Sequence, residues 1–325
     1  MNEIKSSKKT GVLLVNLGSP DSPSVPDVRR YLKEFLNDPF VINIPKLLRL
    51  FLVNVLILNT RPKKSAHAYS KIWMKEGSPL IFHSKNLTEK VRDKLQMAVE
   101  LGMRYGTPSI ESALKKLLGQ GVEKVVLLPL YPHYSYAASE TAIVLFEKLM
   151  SELAPGTAYE VIEDYWDNST FLDALADSIR PVLEEKKPDV LLLTYHGIPK
   201  RQVFQTRNQR NYHSQCLLTS RKVRERLGLP VEKVKSSFQS RLGPVKWIRP
   251  FTDFVLRDFP KHGVKKIVVA SPAFSADCLE TLEEIKLRYD ELFRQNGGTE
   301  FHYVPCLNSS DAFVNSIGKI LEPHL

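Results

Sequence analysis

The sequence predicts an α/β fold built from two similar halves, each a parallel sheet flanked by helices, with a cleft between them. Three observations carry this. Short continuous apolar runs recur along the chain, bounded by Gly, Pro or Ser. Amphipathic stretches alternate with them. Three motifs of the first half return, in the same order, in the second.

The apolar runs are 12–17, 125–130, 190–194 and 267–270. Runs of this length without polar alternation suit strands covered on both faces, as in a parallel sheet. Between them, 109–119 opens on Ser109 and Glu111 and stops at Gly119, which are helix start and stop signals. The segments 171–183 and 219–227 read the same way. The repeat pairs Val12-Leu-Leu-Val-Asn-Leu-Gly-Ser-Pro20 with Val190-Leu-Leu-Leu-Thr-Tyr-His-Gly-Ile-Pro199. It pairs Arg104-Tyr-Gly-Thr-Pro108 with Arg241-Leu-Gly-Pro244, and Gly121-Val-Glu-Lys-Val-Val-Leu-Leu-Pro129 with Gly263-Val-Lys-Lys-Ile-Val-Val-Ala-Ser-Pro272. One such match is easily a coincidence; three in order are not. The expected division is 1–165 and 166–325. Ligands of open parallel sheets sit outside the carboxyl ends of the strands. The repeated motifs lie at those ends, so the cleft is the expected site.

Composition narrows the function classes. With 43% hydrophobic and 25% charged residues, the chain has the make-up of an ordinary globular protein. The net charge of +10 suits an anionic partner or a well-solvated surface. The Lys and Arg residues are scattered, so nucleic acid is not expected. Three cysteines, Cys216, Cys278 and Cys306, are far apart and odd in number, which argues against a disulfide framework and for a reducing compartment. They form no CxxC pair for zinc or iron–sulfur. No apolar signal core follows the basic start, so a cytoplasmic location is expected. The longest apolar region, 40–59, is interrupted by Pro45, Lys46, Arg49 and Asn54. It is short of the ~20 residues a membrane span needs. It reads either as a buried helix or as an apolar lip lying on a lipid surface or against a greasy substrate.

Three groups of residues could carry chemistry. His196 follows a buried strand and precedes Gly197-Ile-Pro199, a rigid support for a proton acceptor or metal ligand; one satisfying loop backbone groups would look the same. Asp277, Glu280 and Glu284 stand at i, i+3 and i+7, which would place them on one helical face. That face is either solvated or, at a cleft in a basic protein, a lane for a hard divalent cation. Arg104, Tyr131, Trp247 and their neighbours offer guanidinium and aromatic groups suited to carboxylates and a flat π-system, or simply to filling a seam. No G-x-G-x-x-G, P-loop or G-x-S-x-G occurs, so nucleotide binding and serine hydrolase chemistry are unsupported.

Taken together, the motifs resemble the ferrochelatase family almost from end to end. The match includes Val15-Asn-Leu-Gly-Ser-Pro, Trp73 with Gly77-Ser-Pro, Met103-Arg-Tyr-Gly and Leu130-Tyr-Pro-His-Tyr-Ser. It continues through Tyr195-His-Gly-Ile-Pro, Phe238-Gln-Ser-Arg with Trp247, and Phe274-Ser-Ala-Asp-Cys-Leu-Glu-Thr-Leu-Glu-Glu. The resemblance implies two Rossmann-like, chelatase-type domains and the insertion of Fe²⁺ into a porphyrin. It implies His196 as the active-site histidine and Glu280 as its partner carboxylate, with Asp277 and Glu284 completing a metal-handling set. Leu17, Arg104, Tyr131, Trp247 and Phe274 match positions that line or support the pocket. Leu17 stands where the protoporphyrin-using branch is apolar, which favours protoporphyrin IX over coproporphyrin. Residues 40–58 fall at the family's hydrophobic lip, implying peripheral membrane contact. No resident cofactor is expected, and no [2Fe–2S] cluster: Tyr136 stands where animal members place one cluster ligand. Cys278 and Arg288 depart from common family residues, which puts a third metal ligand in doubt and shortens the acidic lane. A chelatase for another metal or tetrapyrrole and a non-catalytic haem carrier are the competing readings.

Overall fold

The computed structural model describes residues 9–204, 208, 210–241, 243 and 245–325. The first half runs β1 (Thr10–Asn16), α1 (Val25–Leu36), α2 (Lys46–Phe51), α3 (Leu58–Ile72), α4 (Pro79–Leu95), β2 (Ala98–Met103), α5 (Ile110–Gly119), β3 (Lys124–Pro129), α6 (Thr141–Leu153) and β4 (Ala158–Val161). The second runs α7 (Ser169–Lys186), β5 (Val190–His196), α8 (Tyr212–Leu227), β6 (Val234–Gln239), α9 (Thr252–Asp258), β7 (Lys266–Ala270), α10 (Asp290–Gln295), β8 (Glu300–Tyr303) and α11 (Asp311–Leu321). Three stretches wind as π-helix: Leu52–Ile57, Tyr136–Glu140 and Leu279–Tyr289.

Two four-stranded sheets result, ordered β2-β1-β3-β4 and β6-β5-β7-β8, with every pairing parallel. The repeated sequence motifs therefore fold into the same topology twice. The four strands expected from apolar runs are the central ones, β1, β3, β5 and β7, each buried on both faces. Period-two alternation splits their side chains between layers. Val12, Leu14, Val126 and Leu128 of the first sheet share one core with Leu191, Leu193, Val268 and Ala270 of the second. Helices α4, α7, α8 and α11 fill the space between. The opposite faces pack outward: Leu13, Val15, Val125 and Leu127 against α5 and α6, and Val190, Leu192, Ile267 and Val269 against α9, α10 and the third π-helix.

Helix ends follow the expected chemistry. Ser109 caps α5, accepting from the Ser112 N–H at 3.1 Å, and Asn168 caps α7 through the Phe171 N–H at 3.2 Å. Helix α8 begins seven residues before the stretch expected from 219–227, at an Asn211 cap that accepts from the Ser214 N–H at 3.0 Å.

The middle motif of the repeat pairs differently from the sequence expectation. Its second copy, Arg241-Leu-Gly-Pro244, contains Leu242 and Pro244, which lie outside the described residues. The structural counterpart of Pro108 is Pro250. Both follow a cis peptide bond, and both carbonyls accept from a strand-end N–H, Met103 at 2.6 Å and Phe238 at 2.8 Å. The longer connection in the second half displaces the proline along the sequence but not in the fold.

Region 40–59 forms neither a buried helix nor a continuous α-helix. It is α2, a π-helical stretch and the start of α3, which send Val53 and Leu58 into the core and much of the remaining apolar surface outward. Leu47 is 82% exposed, Phe51 55% and Leu56 52%, while the Arg49 side chain turns inward to the carbonyls of Ile42 (3.4 Å) and Ile44 (3.0 Å). No helix among the described residues is long and apolar enough to cross a membrane.

Because one core serves both sheets, the halves are expected to unfold together. Leu14→Ala and Leu193→Ala should each cost about 2–5 kcal/mol and shift the same single urea transition. Two transitions, each moved by one variant only, would refute the shared core.

Candidate active site

In each sheet the chain reverses direction of growth between the two central strands, so the switch points lie at the carboxyl ends of β1 and β3 and of β5 and β7, where ligands of open parallel sheets bind. The residues singled out from sequence come from those ends. Leu17 follows β1, Tyr131 follows β3, His196 is the last residue of β5, and Phe274 and Glu280 follow β7.

Gly197 explains how His196 is held. A Cβ at this position would stand 2.7 Å from the Gln239 carbonyl oxygen, so only glycine lets the turn cross the end of β6 so closely. The Gly197 N–H donates to that carbonyl at 2.8 Å. The His196 ring sits half-buried, 6.4 Å from the Phe274 ring, and its Nδ1 lies 2.6 Å from the Gly197 carbonyl. A carbonyl can only accept, so Nδ1 carries hydrogen and, in the neutral ring, Nε2 keeps the lone pair. Trp247 pairs in a short bridge with Pro199 and stacks over Gly197, backing the turn rather than standing apart from it.

Gln239 links His196 to Glu280. It is the register partner of His196 in the β5–β6 pair. Its buried side chain accepts from Thr194 Oγ1 at 2.8 Å and donates to the Glu280 carbonyl at 3.5 Å. Glu280 itself is half-buried near the start of the Leu279–Tyr289 π-helix, which packs on α3 of the first half. Its carboxylate forms no ion pair among the described residues. The Cys278 thiol is hydrogen-bonded to it; burial first, and then this negative charge, push that thiol well above its ordinary range. Burial likewise raises the Tyr31 and Tyr69 phenols, with Glu280 adding to the effect on both. Leu17 belongs to an apolar wall with Phe35, Val41, Ile42, Leu279 and Leu282 that runs from one half to the other.

The acidic lane differs from the expectation. A π-helix closes its hydrogen bonds five residues back rather than four, so α-helical spacing no longer predicts which residues share a face. Asp277 precedes the helix. Its carboxylate is buried and accepts from Tyr303 OH (2.6 Å), Asn308 Nδ2 (2.8 Å), Thr281 Oγ1 (3.0 Å) and the Cys306 N–H (3.4 Å). Glu284 accepts from Ser240 Oγ, from the Ser240 N–H at 3.1 Å and from Tyr289 OH at 2.8 Å, with Arg288 3.9 Å away. Both carboxylates are occupied by protein donors. No three His, Cys, Asp or Glu side chains among the described residues come together as a metal cage.

Arg104 is also engaged within the protein. Its guanidinium pairs with Asp38, donates from Nε to Thr141 Oγ1 at 2.8 Å and lies over the Tyr105 ring at 4.5 Å. It is not a free cation awaiting a substrate carboxylate. The nearby Tyr131 hydroxyl is buried with no hydrogen-bond partner among the described residues, and burial raises its phenol far above the ordinary value, with Arg104 pulling the other way. Tyr31, Tyr69 and Asp38 were not singled out from sequence; Gln239 was marked only as part of the Phe238-Gln-Ser-Arg motif.

The sequence profile described as Ferrochelatase matches residues 9–325. The chain belongs to the ferrochelatase family. It is 42% identical over 323 residues to the ferrochelatase of Vibrio parahaemolyticus serotype O3:K6, covering 99% of this chain and 100% of that one. Ferrochelatase 2 of Shewanella oneidensis is likewise 42% identical, covering 98% of each. In fold the chain is similar to SirB from Bacillus subtilis with Fe³⁺, at a TM-score of 0.59 and 10% identity, covering 97% of this chain and 94% of SirB. The activity is that of a lyase of haem biosynthesis, the insertion of iron into a porphyrin.

His133, after β3, is a buried neutral imidazole at the seam. Its Nε2 meets Thr219 Oγ1 at 2.9 Å, and Tyr195 and Tyr212 pack edge-on at 5.5 and 6.1 Å. Burial depresses its pKa to about 3. A pKa lowered on folding stabilises the protein above the unfolded value of roughly 6.5 and withdraws that stability as pH falls toward 3. Between pH 7 and pH 5 the loss should be on the order of 2 kcal/mol. His133→Gln should lack this component, so its urea midpoint should fall less over that interval; an equal fall in both proteins would contradict the assignment.

Proposed function

We propose that the porphyrin is protoporphyrin IX, that His196 accepts the pyrrole protons and that Glu280 neutralises and delivers Fe²⁺. The observation that carries this reading is the Gln239 link, which joins the backbone of Glu280 to the strand end bearing His196. Metallation removes two N–H protons and brings a partly dehydrated cation to four nitrogens. A lone pair at His196 Nε2 suits the first task. A carboxylate with no ion pair among the described residues suits the second, because a full cage would hold the metal instead of releasing it. Asp277 and Glu284, with their oxygens already engaged, act by fixing the π-helix that presents Glu280. Leu17 in an apolar wall favours a macrocycle face without extra carboxylates. A wall shaped to a puckered ring would stabilise the transition state more than the flat substrate.

The enzyme is proposed to work without an iron–sulfur cluster. The three thiols are free and fall one short of the four cysteines such a cluster commonly uses. The halves 1–165 and 166–325 are proposed as its domains. Work in the cytoplasm, at a membrane surface, is supported by Leu47, Leu48, Phe51 and Leu56 on one side and by Phe204, 80% exposed, on the segment that touches Asn43 through Arg201 at 3.1 Å.

Anaerobic turnover with Fe²⁺ should be faster with protoporphyrin IX than with coproporphyrin III, and the reverse order would overturn the substrate assignment. His196→Ala should abolish metallation while porphyrin binding, read by fluorescence, persists; normal turnover would remove His196 from the chemistry. For the membrane contact, Leu47→Glu with Phe51→Glu should reduce co-sedimentation with phospholipid vesicles several-fold and leave turnover of porphyrin in detergent intact. Unchanged co-sedimentation would dismiss this surface.

A further inference from the structure

Asp38 is the most heavily engaged carboxylate outside the residues assigned above. It follows α1, and its side chain is 2% exposed. One oxygen, Oδ2, receives Arg104, the Tyr105 hydroxyl at 2.7 Å and the Thr141 hydroxyl at 2.6 Å. The other, Oδ1, accepts from the Phe40 N–H at 2.7 Å. The Asp38 carbonyl turns the chain further, accepting from the Val41 and Ile42 N–H groups at 3.1 and 3.0 Å. A buried carboxylate is strongly unfavourable unless paired and hydrogen-bonded, and removing one partner of such a set costs more than the pair contributes.

These contacts join three separate pieces of chain. Arg104 and Tyr105 follow β2 and lie beside β1, where the Tyr105 N–H donates to the Leu17 carbonyl at 2.9 Å. Thr141 opens α6, just past the Tyr136–Glu140 π-helix. Phe40, Val41 and Ile42 are the root of the exposed apolar segment. Phe40 stacks on Tyr136 at 4.9 Å and its carbonyl accepts from Gln202 of the second half at 3.4 Å, while Val41 and Ile42 stand in the same apolar wall as Leu17, Leu279 and Leu282.

We infer that Asp38 is a positioning residue for porphyrin binding: it pins Arg104 and fixes the wall formed by Val41, Ile42 and Leu17 at the mouth of the site. It touches no reacting atom. Its effect should therefore appear in porphyrin affinity and not in the chemical step or in metal capture. This rests on the reading that the porphyrin occupies the crevice between the halves.

The test is steady-state kinetics of the full-length enzyme with porphyrin and Fe²⁺ varied separately. Asp38→Asn keeps the shape and removes the charge. It should raise the porphyrin KM by about ten-fold, leaving kcat and the Fe²⁺ KM within two-fold of the parent. A porphyrin KM within two-fold of the parent, or a change confined to kcat or to the Fe²⁺ KM, overturns the inference. If Asp38→Asn fails to fold, Thr141→Val and Thr141→Ser carry the same test. Valine removes a donor to Asp38 and an acceptor for Arg104 at constant volume and should raise the porphyrin KM about three-fold; serine keeps the hydroxyl and should restore it. Equal KM values for the two would also overturn the inference. The ratios are read on whichever porphyrin the parent turns over, so an error in the assigned substrate shows in the parent and not in the variants.

Discussion

Everything at the active site depends on the common core into which both sheets pack. Burying one face of each sheet against the same four helices fixes the two sets of strand ends relative to each other. Leu14, Leu128, Leu193 and Val268 are fully buried in that layer, where packing is dense and small shifts are resisted. The reacting groups can then stand on short turns, because the strands beneath them do not move. His196 ends a strand that is buried along its length, and its ring is held by the next residue's carbonyl and not by a distant partner.

The second constraint is electrostatic. The carboxylates around the site differ in how fully protein donors occupy them. Asp277, Glu284 and Asp38 each receive three or more hydrogen bonds from the protein, so their charges are spent on structure. Glu280 stands next to buried phenols and a buried thiol, all held well above their ordinary range.

Much of this was legible in the sequence, and the failures have physical causes. The central strands were visible because both faces are covered and no polar alternation interrupts them. The edge strands were not: β2, as Ala98-Val-Glu-Leu-Gly-Met103, and β6, as Val234-Lys-Ser-Ser-Phe-Gln239, mix polar residues on a half-covered face. His196 and Glu280 were singled out because turn chemistry and motif order mark them. Asp277 and Glu284 were read as exposed on one α-helical face because a π-helix leaves no mark on periodicity. Asp38 escaped because its side-chain partners lie 66, 67 and 103 residues further along the chain, beyond any local pattern. The tie of Arg104 to Asp38 and Thr141 escaped for the same reason.

The exposed apolar segment has a consequence for handling the protein. With Arg49 folded inward and Leu47, Leu48, Phe51 and Leu56 outward, a greasy strip is presented to bulk water at all times. In plain buffer that strip has nothing to cover it except the same strip on another molecule. Apparent molecular mass in chromatography should consequently track the amphiphile in the column buffer and not the protein concentration alone, so an oligomer seen without detergent is no guide to the working state.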